Sequence, residues 1–459
     1  MINLYQTVAA ISTPPGVGGI SVIRISGDRA VNIADRIFKM PSGKKLADVK
    51  THTVHHGQII SDGGDVLDDV LVTVMRAPHT YTGEDVVEIS CHGGVFVTKS
   101  VLEQVYISGA APAGRGEFTK RAFLNGKLDL CEAESVIDII NSKTALEQSV
   151  SVNNLSGKLS EKINGIRDRI LSLTAHVQVL IDYPDEELEP LSKDEFYAEL
   201  ISVSEEIQKL IRTSNSGLIL RNGIKTAIIG KPNVGKSSLL NMLSGEEKAI
   251  VTDVEGTTRD AIEQYVSIGN VALKLTDTAG IRNTDNKVEA IGVQKSLDIM
   301  EKSDLVIFMA DALTGLCVND YEIIQKTDRK KCICLINKTE SARNTCRPEL
   351  EKYFDRVIDF SVKDQIGAYE LEKNITEMFE LGSISENNKS VITSARQRDA
   401  LVRADEAIRN AVAAIDSGIP CDTTFIDLES AASAMGEIVG LTVGEEIVDK
   451  IFHNFCIGK

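Results

Sequence analysis

The sequence predicts a multidomain protein with α/β and all-α parts: an N-terminal α/β domain over 1–117, a helical domain in two parts (118–219 and 385–459), and an α/β domain inserted at 220–384. Three observations carry this reading. First, 459 residues exceed what a single core ordinarily fills, since domains run to roughly 100–200 residues. Second, the apolar period changes along the chain from strand-like runs to helical spacing and back. Third, the helical stretches on either side of 220–384 each carry an apolar stripe that needs a partner, and each is the other's nearest candidate.

In the N-terminal part, GGISVIRIS, DDVLVTVMRA and DVVEISCHGG are apolar or alternating runs bounded by Gly, Pro and Asp, which read as strands. RAVNIADRIFK between them has helical spacing. After GRGEFTKRAFLNGKLDL the strand signals stop. Leu155, Leu159, Ile163, Ile166, Ile170, Leu173, Val177 and Leu180 then recur at steps of three and four, which predicts one long helix ended by Pro184 and Pro190. EFYAELISVSEEIQKLIRTS reads as a further helix. From about 220, KTAIIG, VALKLTD, DLVIFMAD, CICLINK and RVIDFS are buried-strand runs separated by helix-length segments, as in a parallel sheet with crossover helices. Beyond 385, Leu401, Ala404, Ile408, Ala411 and Ile415 line one helical face.

Composition narrows the function. Hydrophobic residues at 42% and charged residues at 25% leave room for a substantial core and argue against wholesale disorder. A net charge of −17 argues against a general polyanion-binding surface, so any RNA role requires a local patch or a partner. The opening stretch lacks a signal peptide's basic region, and no run approaches about 18 apolar residues, so a cytoplasmic protein without membrane contact is expected. Eight cysteines without a C-x-x-C pair read as reduced thiols, with Cys332 and Cys334 in the core. His52, His55 and His56 lack matched acidic or thiol ligands and read as exposed loop residues.

GKPNVGKS (230–237) fits G-x-x-x-x-G-K-[ST] and lies between a strand and a helix, as a phosphate loop must. Asn233, Val234, Gly235, Lys236, Ser237 and Ser238 form the loop and the start of its helix, whose N–H groups and dipole suit phosphates. Lys236 adds charge at the β/γ-phosphates, and Ser237 offers a hydroxyl to Mg²⁺. In register behind it stand GTTRD, with Thr257 and with Thr258 as a second Mg²⁺ ligand, and DTAG, comprising Asp277, Thr278, Ala279 and Gly280. Asn337, Lys338 and Glu340 in NKTE then stand at the guanine-reading position, followed by Ser361, Val362 and Lys363. This order is that of a Ras-like P-loop GTPase, with GTP and Mg²⁺ as ligands.

Two positions depart from the usual pattern. Glu340 replaces Asp with a carboxylate one methylene longer, and Val362 replaces a small Ala beside the base. In addition, Ile281 follows DTAG where a water-orienting Gln would stand. Glu289 in NKVEAIGV is close enough in sequence to take that task, and equally reads as an acidic residue at a helix N-terminus.

TPPG, RISG, TGED, CHGG, GEFTKRAFLNGKLDL, GKPNVGKSSLLN, GTTRD, DTAGIR with VEAIG, and the final CIGK together make the chain resemble the MnmE (TrmE) family of tRNA wobble-uridine modification GTPases over essentially its whole length. The resemblance implies an N-terminal domain that binds tetrahydrofolate and forms a homodimer. It also implies K⁺-dependent GTP hydrolysis, with Asn233, Thr252, Val254 and Thr257 around the K⁺ and Glu289 orienting water. It further implies a folate site with Arg24, Glu88, Lys127 and Lys459 and a tetrahydrofolate derivative in the 5-formyl or 5,10-methylene form. An FAD-dependent MnmG-type partner, in a heterotetramer or larger complex, and tRNA complete the implied assembly. Its product is an aminomethyl or carboxymethylaminomethyl group at C5 of the wobble uridine. The rival reading is a GTP-dependent switch or ribosome-assembly factor without covalent chemistry, which needs neither a folate domain nor CIGK.

CIGK is a poor lipidation box, because Lys is not an accepted last residue and Gly occupies an aliphatic position. A helix carrying Ile447, Val448, Ile451 and Phe455 would dock it. Cys456 would then lie at the donor pocket as a catalytic thiol, with nearby cations favouring its thiolate.

Overall fold

A computed structural model describes residues 6–183, 191–245, 264–275, 297–326, 328–339, 346–384 and 390–459. The chain forms two units. One is the chain up to Ile137 together with Gly436–Lys459; the other is Asp138–Met435. Residues 118–137 and 436–459, assigned from the sequence to helical segments, thus pack within the N-terminal unit.

In the first unit β1 (Val8–Ile11), β2 (Ile20–Ser26), β3 (Phe38–Lys39), β4 (Thr53–Ile60), β5 (Val66–Met75), β6 (Val86–His92) and β7 (Ala111–Pro112) form one sheet in the order β3-β4-β5-β6-β2-β1-β7. Only the short β1–β7 pairing is parallel. Strand alternation buries Ile23, Ile25, Val70, Val72, Val74, Val87 and Ile89 on one face, in a core shared with the helices Ala30–Ile37 and Val95–Ile107. The intervening positions, including Arg24 on β2 and its cross-strand partner Glu88 on β6, face the other way. A second small core joins Leu130, Ala133 and Ile137 to Val448, Phe452 and Phe455 and seats the helix Glu445–His453.

In the second unit β8 (Ile224–Ile229), β9 (Gln264–Ile268), β10 (Val271–Leu275), β11 (Leu305–Asp311), β12 (Cys332–Asn337) and β13 (Val357–Asp359) follow the order β13-β12-β11-β8-β10-β9. Among the described residues every pairing is parallel except β9–β10. The apolar strands are covered on both faces, as a sheet of crossover units requires, and Cys332 and Cys334 are buried among them.

The helices on either side of this sheet do cover each other, as the stripes suggest. Lys193–Asn222 packs on Ala395–Asp416, where the buried Ser204 hydroxyl donates to Asp405 Oδ1 at 2.8 Å. Asn154 Nδ2 donates to the Val391 carbonyl at 2.9 Å, again joining the two chain segments.

Two sequence expectations need correction. Leu155 does not share the long helix; it ends Ala145–Leu155, and Lys158–Asp182 starts afresh after Gly157 at φ +81°. Glycine adopts that left-handed conformation readily, and the apolar period runs across the break unchanged. His55 and His56 are not loop residues but lie on β4, where Nε2 of the exposed His56 is 3.1 Å from Asp69 Oδ1. Pro184 and Pro190 lie outside the described residues. Among the described residues no helix is long and apolar enough to cross a membrane, and no His, Cys, Asp and Glu cluster could hold a metal.

Candidate functional site

The strand β8 runs directly into the phosphate loop, and the helix Lys236–Gly245 leaves it. At Gly235 (φ +104°) an added Cβ would come within 2.3 Å of Asn337 Nδ2, so only glycine lets the loop close against β12. Asn233 also holds a positive φ, at +65°. Lys236 folds over the loop, donating to the carbonyls of Gly230 (2.5 Å) and Lys231 (2.8 Å). Burial lowers its pKa and Asp320 opposes the shift, so the ammonium lacks a full solvent shell and suits a phosphate. Ser237 and Ser238 are exposed in the first turn of the helix. A glycine-dependent cradle, a lysine and a hydroxyl at a helix N-terminus fit a nucleotide with its Mg²⁺.

The base-reading segments are tied to this loop. Asn337 Nδ2 donates to the Val234 carbonyl at 2.7 Å, and the Val362 N–H donates to Asn337 Oδ1 at 3.3 Å. Lys338 Nζ bridges the Asn233 carbonyl (3.0 Å) and Asp311 Oδ2 (2.7 Å). Burial pushes the Asp311 carboxyl up, but the Lys338 ammonium and the Leu313 N–H outweigh it and hold the pKa below the usual range. The side chain of Val362 packs against the sheet core, which accommodates its extra bulk. Ser361 is fully buried, and Lys363 is exposed. Thr252, Val254, Thr257, Thr258, Asp277, Thr278, Ala279, Gly280, Ile281, Glu289 and Glu340 lie outside the described residues.

A second site forms in the N-terminal unit. Arg24 Nε and Nη2 both donate to Glu88 Oε1 at 2.8 Å, across the β2–β6 pairing. Arg24 Nη1 is buried without a hydrogen-bond partner among the described residues. The guanidinium lies 5.4 Å from the Tyr81 ring centroid and 5.5 Å from that of Phe118. Tyr81 belongs to the TGED loop and Phe118 to the helix Glu117–Leu124. The fully buried Arg121 ties the two together, donating to both Glu84 oxygens (3.1 Å each) and to Glu117 Oε1 (2.8 Å). Sequence reasoning missed Tyr81 and Phe118: Tyr81 stands just before TGED and Phe118 is one of two phenylalanines in GEFTKRAFLNGKLDL, and neither position marks a ring beside Arg24.

CIGK reaches the same place. The Gly116 N–H donates to the Cys456 carbonyl (3.2 Å), the Phe118 N–H to the Lys459 carbonyl (3.1 Å), and the Ser12 hydroxyl to the Gly458 carbonyl (3.0 Å). Lys459 is half-buried. Burial chiefly, and Arg24 next, lower its pKa, while Glu88 and Cys456 oppose them. The Cys456 thiol is exposed. Arg24, Glu88, Lys459 and Cys456 thus converge. Lys127 instead donates to the Pro78 carbonyl at 3.2 Å and lines a cleft of about 720 Å³ whose walls include Lys120, Glu132 and Asp449 but neither Arg24 nor Glu88. The unpartnered Arg24 donor, the Glu88 carboxylate and Lys459 fit a ligand offering a carbonyl beside N–H donors and a negative charge, as a folate does.

Two family models match the chain: the N-terminus of the GTP-binding protein TrmE over residues 7–127, and the MnmE helical domain over residues 130–456. Among curated proteins, the tRNA modification GTPase MnmE of Clostridioides difficile (strain 630) is 45% identical over 456 residues, covering 99% of each chain. The proteins of the same name from Acetivibrio thermocellus and Lactiplantibacillus plantarum are also 45% identical, over 99% of each chain. Among solved structures, the G domain of the T. maritima FeoB iron transporter is 27% identical over 34% of this chain and 98% of its own, with a TM-score of 0.25.

Proposed function

This chain belongs to the MnmE family of tRNA modification GTPases, and from that premise we propose that it uses K⁺-dependent GTP hydrolysis and a tetrahydrofolate one-carbon donor to install an aminomethyl or carboxymethylaminomethyl group at C5 of the tRNA wobble uridine. It acts as a homodimer, in the cytoplasm, with an FAD-containing MnmG-type partner in a heterotetramer or larger complex. The donor is the 5-formyl or 5,10-methylene form.

The observation that carries the folate part is the Arg24–Glu88 pair with one guanidinium nitrogen unpartnered, beside the half-buried Lys459. A buried N–H left unmade is costly, by roughly 1–3 kcal/mol, so a ligand carbonyl there is strongly favoured. Glu88 then accepts from ring and amino N–H groups of the pterin, and Lys459 attracts the glutamate tail. Cys456, in the segment that carries Lys459, serves the one-carbon transfer.

In the G domain, Lys236 releases the loop carbonyls to hold the β/γ-phosphates, and Asn337 presents the base contact. Lys338, Ser361, Val362 and Lys363 shape the base pocket, with Glu340 accepting from guanine. Ser237 and Thr258 would hold Mg²⁺; Asn233, Thr252, Val254 and Thr257 would hold K⁺. Once bound there, the two cations would supply positive charge opposite the phosphoryl oxygens. Glu289 would orient the attacking water, Asp277 would belong to the metal shell and Gly280 would meet the γ-phosphate.

The test is calorimetric titration of the full chain with 5-formyltetrahydrofolate. Saturable binding that is lost in both Arg24→Gln and Glu88→Gln is expected. Absence of binding by the wild type favours a switch without covalent chemistry.

A further inference from the structure

We propose that Tyr81 and Phe118 are positioning residues that clamp the Arg24 guanidinium, so that its Nη1 group is presented in a fixed direction to the ring system of the folate; the inference rests on the folate reading of this site. Neither residue contributes a polar group to that ligand. Their task is to remove the freedom of the residue that does.

An arginine side chain has four flexible torsions, and fixing it costs rotamer entropy if that is done at the moment of binding. Here it is done in advance. Glu88 holds two guanidinium nitrogens, but on a single oxygen, Oε1, which leaves the group free to rock about that atom. The rings of Tyr81 and Phe118 stop the rocking, each at a cation–π distance from the guanidinium carbon. The two rings are themselves tied, because the Tyr81 hydroxyl and Thr119 Oγ1, on the residue after Phe118, are hydrogen-bonded at 2.8 Å. Phe118 is fully buried, and its own N–H is held by the Lys459 carbonyl. The clamp therefore joins two strands, the TGED loop, the helix Glu117–Leu124 and the CIGK segment at one guanidinium.

Simple core packing would explain an aromatic pair, but not that pair's placement on the one arginine of the sheet face whose remaining nitrogen is buried and unpartnered. The two explanations separate experimentally. The ring alone should matter for the clamp, whereas a structural role should be felt in stability whenever the Tyr81–Thr119 bond is removed.

The full chain is titrated with 5-formyltetrahydrofolate as wild type, Tyr81→Phe, Tyr81→Leu, Tyr81→Met and Arg24→Gln, with the melting temperature of each recorded. Tyr81→Phe keeps the ring and should bind within about twofold of wild type, while Leu and Met should each weaken binding about tenfold. Arg24→Gln should abolish it. In turnover with tRNA, the Leu and Met variants should raise KM for the folate donor more than they change kcat. Leu and Met variants that bind like the wild type, when Arg24→Gln does not bind, overturn the clamp and leave the folate site standing. A Phe variant as weak as Leu also overturns it, since the hydroxyl would then be the active part. Wild-type-like binding by Arg24→Gln removes Arg24 from the folate site and the clamp with it.

Discussion

The backbone N–H of Phe118 donates to the carbonyl of Lys459 at 3.1 Å, so the last residues of the sequence are part of the wall around Arg24. Gly458 makes that course possible: at φ +94° an added Cβ would lie 2.1 Å from the Ile11 carbonyl oxygen. Gly458→Ala should therefore unseat the segment and weaken 5-formyltetrahydrofolate binding more than it lowers the melting temperature, as read by titration and thermal unfolding. Binding equal to that of wild type would separate the segment from the folate site.

Cys456→Ser leaves the segment's backbone bonds intact, because the residue's carbonyl, not its sulfur, accepts from Gly116. Wobble-uridine modification should fall strongly while GTP turnover persists. Mass spectrometry of the tRNA nucleosides together with phosphate release checks both. Unchanged modification removes Cys456 from the chemistry.

Gly235→Ala should cost GTP affinity and stability together. The new methyl would lie 2.3 Å from Asn337 Nδ2, whose bond to Val234 joins the phosphate loop to the base-reading strand. A loss of roughly 1–3 kcal/mol in binding is expected, from strain and the broken bond. Nucleotide titration checks it, and Asn337→Ala should show the same coupled loss.

Asn233 tests the cation. GTP turnover by the wild type should be much faster in KCl than in NaCl, and Asn233→Ala should lose that preference. Steady-state phosphate release in the two salts decides, and equal wild-type rates would exclude K⁺ as a catalytic participant.

Glu147 gives the pH dependence. Burial raises its pKa from 4.5 to about 7, partly offset by the Lys143 N–H, which donates to Oε2 at 2.7 Å. Nearby, Arg221 pairs with Asp138 at 2.9 Å, one residue before the turn into β8. The folded state holds this proton more tightly than the unfolded one, so the stabilising contribution is full below about pH 4.5 and is lost as pH rises through about 7. Glu147→Gln should flatten stability between pH 5 and 7 and unfold later than wild type at pH 8, by urea titration at each pH. A parallel pH profile for both proteins would contradict this.

Much of this was legible in the sequence because chemistry and local geometry coincided there. GKPNVGKS stands between a strand and a helix as its spacing requires, and the sheet order places Gly235 against Asn337. The paired helical stripes identified an interrupted helical domain. What was not legible depends on distant pairing. Nothing near Phe118 in the sequence says that Lys459 will cap its N–H, and nothing near Arg24 says that two aromatic rings will enclose it. The Leu155 break was hidden because a left-handed glycine interrupts the backbone without disturbing the apolar period.

The most direct measurement is mass spectrometry of wobble uridines in cells lacking this protein, complemented with wild type or with Arg24→Gln. C5-modified uridine should be absent without the protein, restored by the wild type and not restored by Arg24→Gln although that variant still hydrolyses GTP. Full restoration by Arg24→Gln, or unchanged modification in the cells lacking the protein, would contradict this.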